Sequence, residues 1–167
     1  MATWLDVLDD PWGVRAVYGD QTPALGWVEL HEVTMHRDGP RMVLRFDLPQ
    51  YPARPPVKWR DRGCNTVQIQ LMLSWVQEVS LQGWSHHSHV DLALEREGHT
   101  ITATTYAGST RMSVRAVAAS ITHMSAIRSS RTVPDPGSRR KTGVGPVVVA
   151  VDEEVCPGGI VLVREIE

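Results

Sequence analysis

Cysteine is scarce in this chain. Only Cys64 and Cys156 occur in 167 residues, far apart and in no metal-ligand spacing. That excludes a cysteine zinc motif; two reduced thiols are the expectation, with one disulfide as the alternative. Long apolar runs are also missing. The longest clean one, Val147 to Val151, is far too short to span a bilayer. The first ten residues hold three aspartates and no Lys or Arg, which excludes a secretory signal and predicts a cytoplasmic protein. Neither sign of charge dominates. The formal net charge is -2 and the sequence pI about 6.4. Such a balance predicts no nucleic-acid partner and no membrane partner, since both want a basic surface.

Catalytic motifs are lacking as well. Val144-Gly145-Pro146 has neither the glycine spacing nor the lysine of a phosphate-binding loop. Asp9-Asp10 and Glu153-Glu154 are neighbours in sequence, not carboxylates brought together from separate elements. Cys64 follows the turn-like Arg60-Asp61-Arg62-Gly63, and a hydrolase using Cys64 or a histidine has no further support. Arg139-Arg140-Lys141 reads as a solvated run in a linker. Ser85-His86-His87-Ser88-His89 supplies imidazoles, but no nearby Cys, Asp or Glu completes a recognised ligand spacing. His86, His87 and His89 are therefore weak metal candidates, and the reading is no metal, no cofactor and no enzyme.

What is present is a β pattern. Apolar residues make up 42% and charged residues 22%, as in a folded domain. Thr3 with Asp6, and Asp10 before Pro11, are helix-start signals, and Gly19 is a stop. One or two short helices therefore open the chain, anchored by Trp4, Leu8, Trp12 and Val17. From Trp27 the period becomes two. Val28 and Leu30 alternate with Glu29 and His31, and Val33 and Met35 continue on the other parity, which predicts a β-bulge near Glu32. After the Asp38-Gly39-Pro40 turn, Met42, Leu44, Phe46 and Leu48 share a face. Pro49 to Pro56 holds four prolines and predicts a stiff extended loop. Val67 to Leu73, Val79 and Leu81, Val90 to Leu94, Ile101 to Thr105 and Met112 to Ala116 continue the strands. Ile121, Met124 and Ile127 suit a strand or a short helix.

The fold class is thus mainly β, with α+β character at the N-terminus: an antiparallel meander forming a sandwich or a strongly curled sheet. Residues 1-129 form the β domain, 130-146 a linker, and 147-167 a C-terminal β-hairpin appendage. That hairpin is too small to stand alone and offers a route to a homo-oligomer.

Several segments together carry a resemblance. They are Trp4-Leu5-Asp6, Val17-Tyr18-Gly19, Val28-Glu29-Leu30-His31-Glu32-Val33 and His36-Arg37-Asp38-Gly39-Pro40. They continue with Leu44-Arg45-Phe46-Asp47-Leu48-Pro49, Pro55-Pro56-Val57-Lys58-Trp59 and Asn65-Thr66-Val67-Gln68. In this order the chain resembles the immunity protein 50 family over about residues 1-129. The resemblance implies an immunity protein that binds and neutralises a cognate bacterial polymorphic toxin domain. It brings no catalytic motif and no agreed contact residues.

Six tryptophans point the same way, because Trp serves both cores and interface hot spots. Trp75, Trp84 and Trp59, with Arg45 and Asp47, are the candidate partner contacts. The alternative is a small-ligand or carbohydrate-binding β domain, with Trp59, Trp75 or Trp84 lining one concave face.

Overall fold

A computed structural model describes residues 2–83, 89–106 and 110–130, together with the backbone of Glu154–Val155 and Ile160–Val161. Trp84, His86, His87, the linker and Val147 to Val151 lie outside the described residues.

The opening segments fold as their caps dictate. Thr3 and Asp6 form a capping box on a 3₁₀ turn, Trp4–Val7. Helix α1, Trp12–Tyr18, has Pro11 rather than Asp10 as its N-cap; Asp10 stands one residue earlier and accepts the backbone N–H of Trp12 at 3.0 Å. Gly19 ends it with φ 62, where a side chain would be strained. Leu5, Leu8, Val14 and Val17 enter the core, whereas Trp12 stays exposed and is not the anchor its spacing suggested.

Nine strands follow within the fully described part. They are β1 Val28–His36, β2 Arg41–Asp47, β3 Thr66–Ser74, β4 Glu78–Gln82, β5 His89–Val90, β6 Leu92–Glu97, β7 Thr100–Thr105, β8 Arg111–Ala116 and β9 Ala118–Arg128. A short helix, α2 Val57–Asp61, interrupts them. The proline loop ends at Pro56, which caps this helix.

All pairings are antiparallel and make two sheets. The larger has the order β9-β3-β2-β1-β5, and the smaller β4-β8-β7-β6. A single residue, Val117, separates β8 from β9, and another, Asp91, separates β5 from β6. Each pair is one long bent strand serving both sheets. On the first flank the β3–β9 ladder runs to Ser74↔Ala118, and the β4–β8 ladder resumes at Glu78↔Arg115. Bonds from Val117 N–H to the Ser74 carbonyl and from Gln77 N–H to the Arg115 carbonyl bridge the corner. The sandwich and the curled sheet are therefore both realised: two layers, joined through strands that turn the corner.

One core fills the space between the layers. Met42, Leu44, Phe46, Val67, Ile69, Leu71 and Leu73 contribute from the large sheet, and Ile101, Ala103 and Val114 from the small one. The bulge lies where the parity change put it, between Leu30 and Glu32. A second bulge explains the helix-like spacing of Ile121 and Met124. Gln70 pairs with His123 and Leu71 with Ile121, so Thr122 is an extra residue in a continuous strand.

Beyond β9 the tail returns to the sheet. β10, Glu154–Val155, and β11, Ile160–Val161, both pair antiparallel with β9. They follow one another along its edge. Cys64 is disulfide-bonded rather than a reduced thiol.

Asp9 binds the opening segment to both layers. Its N–H donates to the Ala119 carbonyl at 2.9 Å, and its Oδ2 accepts the Ala119 N–H at 3.1 Å. Its Oδ1 accepts from Arg96 at 3.1 Å, and Arg96 also donates to the Val7 carbonyl at 2.6 Å. Asp9→Ala should lower unfolding stability in urea by about 1–2 kcal/mol, since it leaves the Ala119 N–H without its acceptor and Arg96 with the Val7 carbonyl but no carboxylate. An unchanged midpoint would mean water replaces the carboxylate at no loss.

Candidate functional site

Alternation decides which side chains leave the core. In β1, β2 and β3 the residues between the buried ones face outward: Glu29, Arg45, Asp47, Gln68 and Gln70. Register then places them side by side. Glu29 pairs with Asp47, and Asp47 with Gln68; Glu32 pairs with Arg45, and Arg45 with Gln70. His31 sits in the bulge between these two rows.

The polar groups are tied to one another. His31 Nε2 lies 2.8 Å from Asp47 Oδ2, an ion pair when the imidazole is protonated. Gln68 donates to Asp47 Oδ1 at 2.9 Å. Arg45 donates to Glu32 at 3.0 Å and to the Gln68 amide oxygen at 3.3 Å. Thr34 donates its hydroxyl to Glu32 at 2.7 Å. Glu32 is held below the usual carboxylate range by the Thr34 hydroxyl first and by Arg45 second. Asp47 is buried, and Arg45 is half-buried.

One end of this face is built by a loop-like entry. Trp27 adopts φ 60, and its N–H donates to Asp91 Oδ1 at 2.7 Å. Asp91 is the residue at which β5 passes into β6. This contact aligns β5 so that His89 pairs with Glu29, and the Trp27 and His89 rings stack at 5.0 Å. The opposite end of β1 lies near the β3–β4 corner. There Trp75, with φ 55, is 62% exposed. Trp27 and Trp75 are the non-glycine residues with positive φ among the described residues, a conformation that such bulky side chains rarely adopt.

The candidate contacts divide accordingly. Arg45 and Asp47 fall on neighbouring rows of the outer face. Trp75 is exposed at its far corner, and Trp84 lies outside the described residues. Trp59 is only 2% exposed and belongs to the core, so it is not a surface contact. Helix α2 turns its ring inward, as expected for the residue with most area to bury. Of the three tryptophans that a concave ligand face would need, Trp59 is buried, Trp75 is exposed and Trp84 lies outside the described residues.

Glu29, His31 and Gln68 were missed as site residues. Their outward parity was visible in the alternation, but their convergence depends on register across three strands. The sequence pattern puts His89 in a histidine-rich loop, whereas its register partner is Glu29 on β1. Asn65 and Ser129 pair reciprocally at 2.8 Å and close the other edge.

The family model for immunity protein 50 matches residues 12–126. The chain belongs to that family. The match runs from the start of α1 into β9 and contains every residue of the outer-face network. No curated protein and no solved structure matches the chain. The immunity protein 50 region thus includes both sheets in full, apart from the last residues of β9 and its edge partners. No helix among the described residues is long and apolar enough to cross a membrane.

Trp59→Ala should destabilise the immunity protein 50 fold by about 3–5 kcal/mol, while Trp75→Ala stays within about 0.5 kcal/mol; chemical denaturation compares them. Equal effects would contradict the assignment of Trp59 to the core. Glu32 has a lowered folded pKa, so its contribution is full above its ordinary value of 4.5 and is lost as pH falls through the lowered value. Glu32→Gln should therefore narrow the stability gap to wild type on acidification, from about 0.2–1 kcal/mol near neutrality. A gap independent of pH would show that the Glu32 charge adds nothing.

Proposed function

We propose that this immunity protein 50 member neutralises a toxin domain of a bacterial polymorphic system by binding it, with no chemistry of its own. The outer face of the large sheet is the contact surface. The observation that carries this reading is the network of Glu32, Arg45, Asp47 and Gln68, whose polar groups are held in place by one another. A surface with charges already ordered loses little entropy on association and presents a fixed electrostatic pattern. Exposed Trp27 and Trp75 at the two ends supply large apolar anchors of the kind that dominate binding energy. A standard interface of about 1,600 Å² fits a sheet face of this size. The mixed charge of the face suits a partner that answers both signs, not a uniformly basic or acidic one.

Co-expression tests it. The tagged chain is produced with the polypeptide encoded immediately upstream, and the pair is purified and assayed for rescue of growth. A stable complex that relieves toxicity is expected. Arg45→Ala should weaken it at least tenfold, about 1.4 kcal/mol, by leaving Glu32 and Gln68 without their shared donor. No complex and no rescue would reject the immunity reading. A complex indifferent to Arg45→Ala and to Trp75→Ala would move the contact surface elsewhere.

A further inference from the structure

The outer face gathers more ligating chemistry than a protein contact requires. Glu29, His31 and Asp47 each offer one ligand atom, and these atoms all lie within 4.8 Å of one another. His89 extends the group, with Nε2 3.9 Å from Glu29 Oε2. We propose that Glu29, His31, Asp47 and His89 bind one divalent transition-metal cation of the zinc class.

The backbone makes the convergence. Glu29 faces Asp47 on β2 and His89 on β5 as direct register partners. The bulge between Leu30 and Glu32 turns His31 onto the same side. Four donors thus arrive from three adjacent strands, which hold them more rigidly than a loop would.

Donor type and spacing select the ion. Two imidazole nitrogens and two carboxylate oxygens suit zinc, cobalt or nickel; calcium and magnesium prefer an all-oxygen shell. Bonds of about 2.0–2.1 Å in a tetrahedral site put ligand atoms roughly 3.3 Å apart. The His31–Asp47 contact of 2.8 Å and the His89–Glu29 contact of 3.9 Å bracket that spacing, and His89 must swing inward to join the three donor atoms already within 4.8 Å of one another.

The surroundings fit a cation too. Gln68 donates to Asp47 Oδ1 and leaves Oδ2 turned toward His31, an outer-shell bond that orients a ligating carboxylate. The side chains of Glu29 and Asp47 are only 11% and 8% exposed. Two such carboxylates side by side repel each other, and a divalent cation between them removes the repulsion. The His89 side chain, 32% exposed, marks the open flank. Of the three histidines singled out in sequence, His89 alone enters this proposal, and its partners come from the sheet rather than from its own loop.

The full-length chain, untagged and stripped with chelator, is titrated with zinc chloride by calorimetry and with cobalt chloride by visible absorption. One equivalent of zinc and the absorption of tetrahedral cobalt are expected. Cobalt should also quench fluorescence from Trp27, stacked on His89, and Trp27→Phe should remove that component. Affinity should fall at least tenfold in His31→Gln and in His89→Gln, and stay unchanged in His99→Gln, an exposed turn residue. His89→Gln alters the short edge strand, so circular dichroism should report an intact fold for it even where His31→Gln is perturbed. No stoichiometric uptake by wild type would overturn the proposal. So would uptake that persists unchanged in folded His31→Gln and His89→Gln.

Discussion

Val117 and Asp91 each carry one strand out of one sheet and into the other, and the architecture rests on those two crossings. Backbone hydrogen bonding continues around the core on both flanks, so the layers cannot slide or separate without breaking ladders. Between the sheets the core is one phenylalanine with Leu, Ile, Val, Met and Ala, and Trp59 joins it from α2. Asp9 adds a third tie, reaching Ala119 on one layer and Arg96 on the other.

That closure also sets what the outer face can be. Because the inner parity of β1, β2 and β3 is committed to the core, the outer parity is free to hold charge. The two bulges then break strict alternation at chosen places. The one in β1 inserts His31 between the Glu29 and Glu32 rows. The one in β9 shifts Met124 and Ala126 inward after Thr122. Polar groups that would be spread along separate strands become one connected network. Its members are partly shielded from water, which strengthens their mutual interactions and makes each dependent on the others.

Exposed tryptophans complete the picture from the opposite direction. Trp27 and Trp75 both occupy left-handed backbone next to a strand end, and both leave much of the ring in water. Neither choice favours folding stability by itself. Asp91 compensates the first by accepting its N–H, and the corner bonds around Ser74 and Arg115 hold the second in place.

Local pattern was enough to define the strands and their inner faces. Period-two alternation records burial directly, so Met42 to Phe46 and Val67 to Leu73 were legible without a structure. The cap at Thr3 was legible for the same local reason, as was the bulge in β1. The family resemblance was also readable in the ordered segments. The remainder came from long-range packing. Register, which depends on summed contacts between distant strands, put Glu29 beside Asp47 and His89. Packing took Trp59 out of the surface and left Trp12 on it, although both are the same residue type in short helices. A bulge at Thr122 imitated helical spacing, and no local signal separates the two. The site is a product of which strands meet, and a linear pattern carries each strand's faces but not its neighbours.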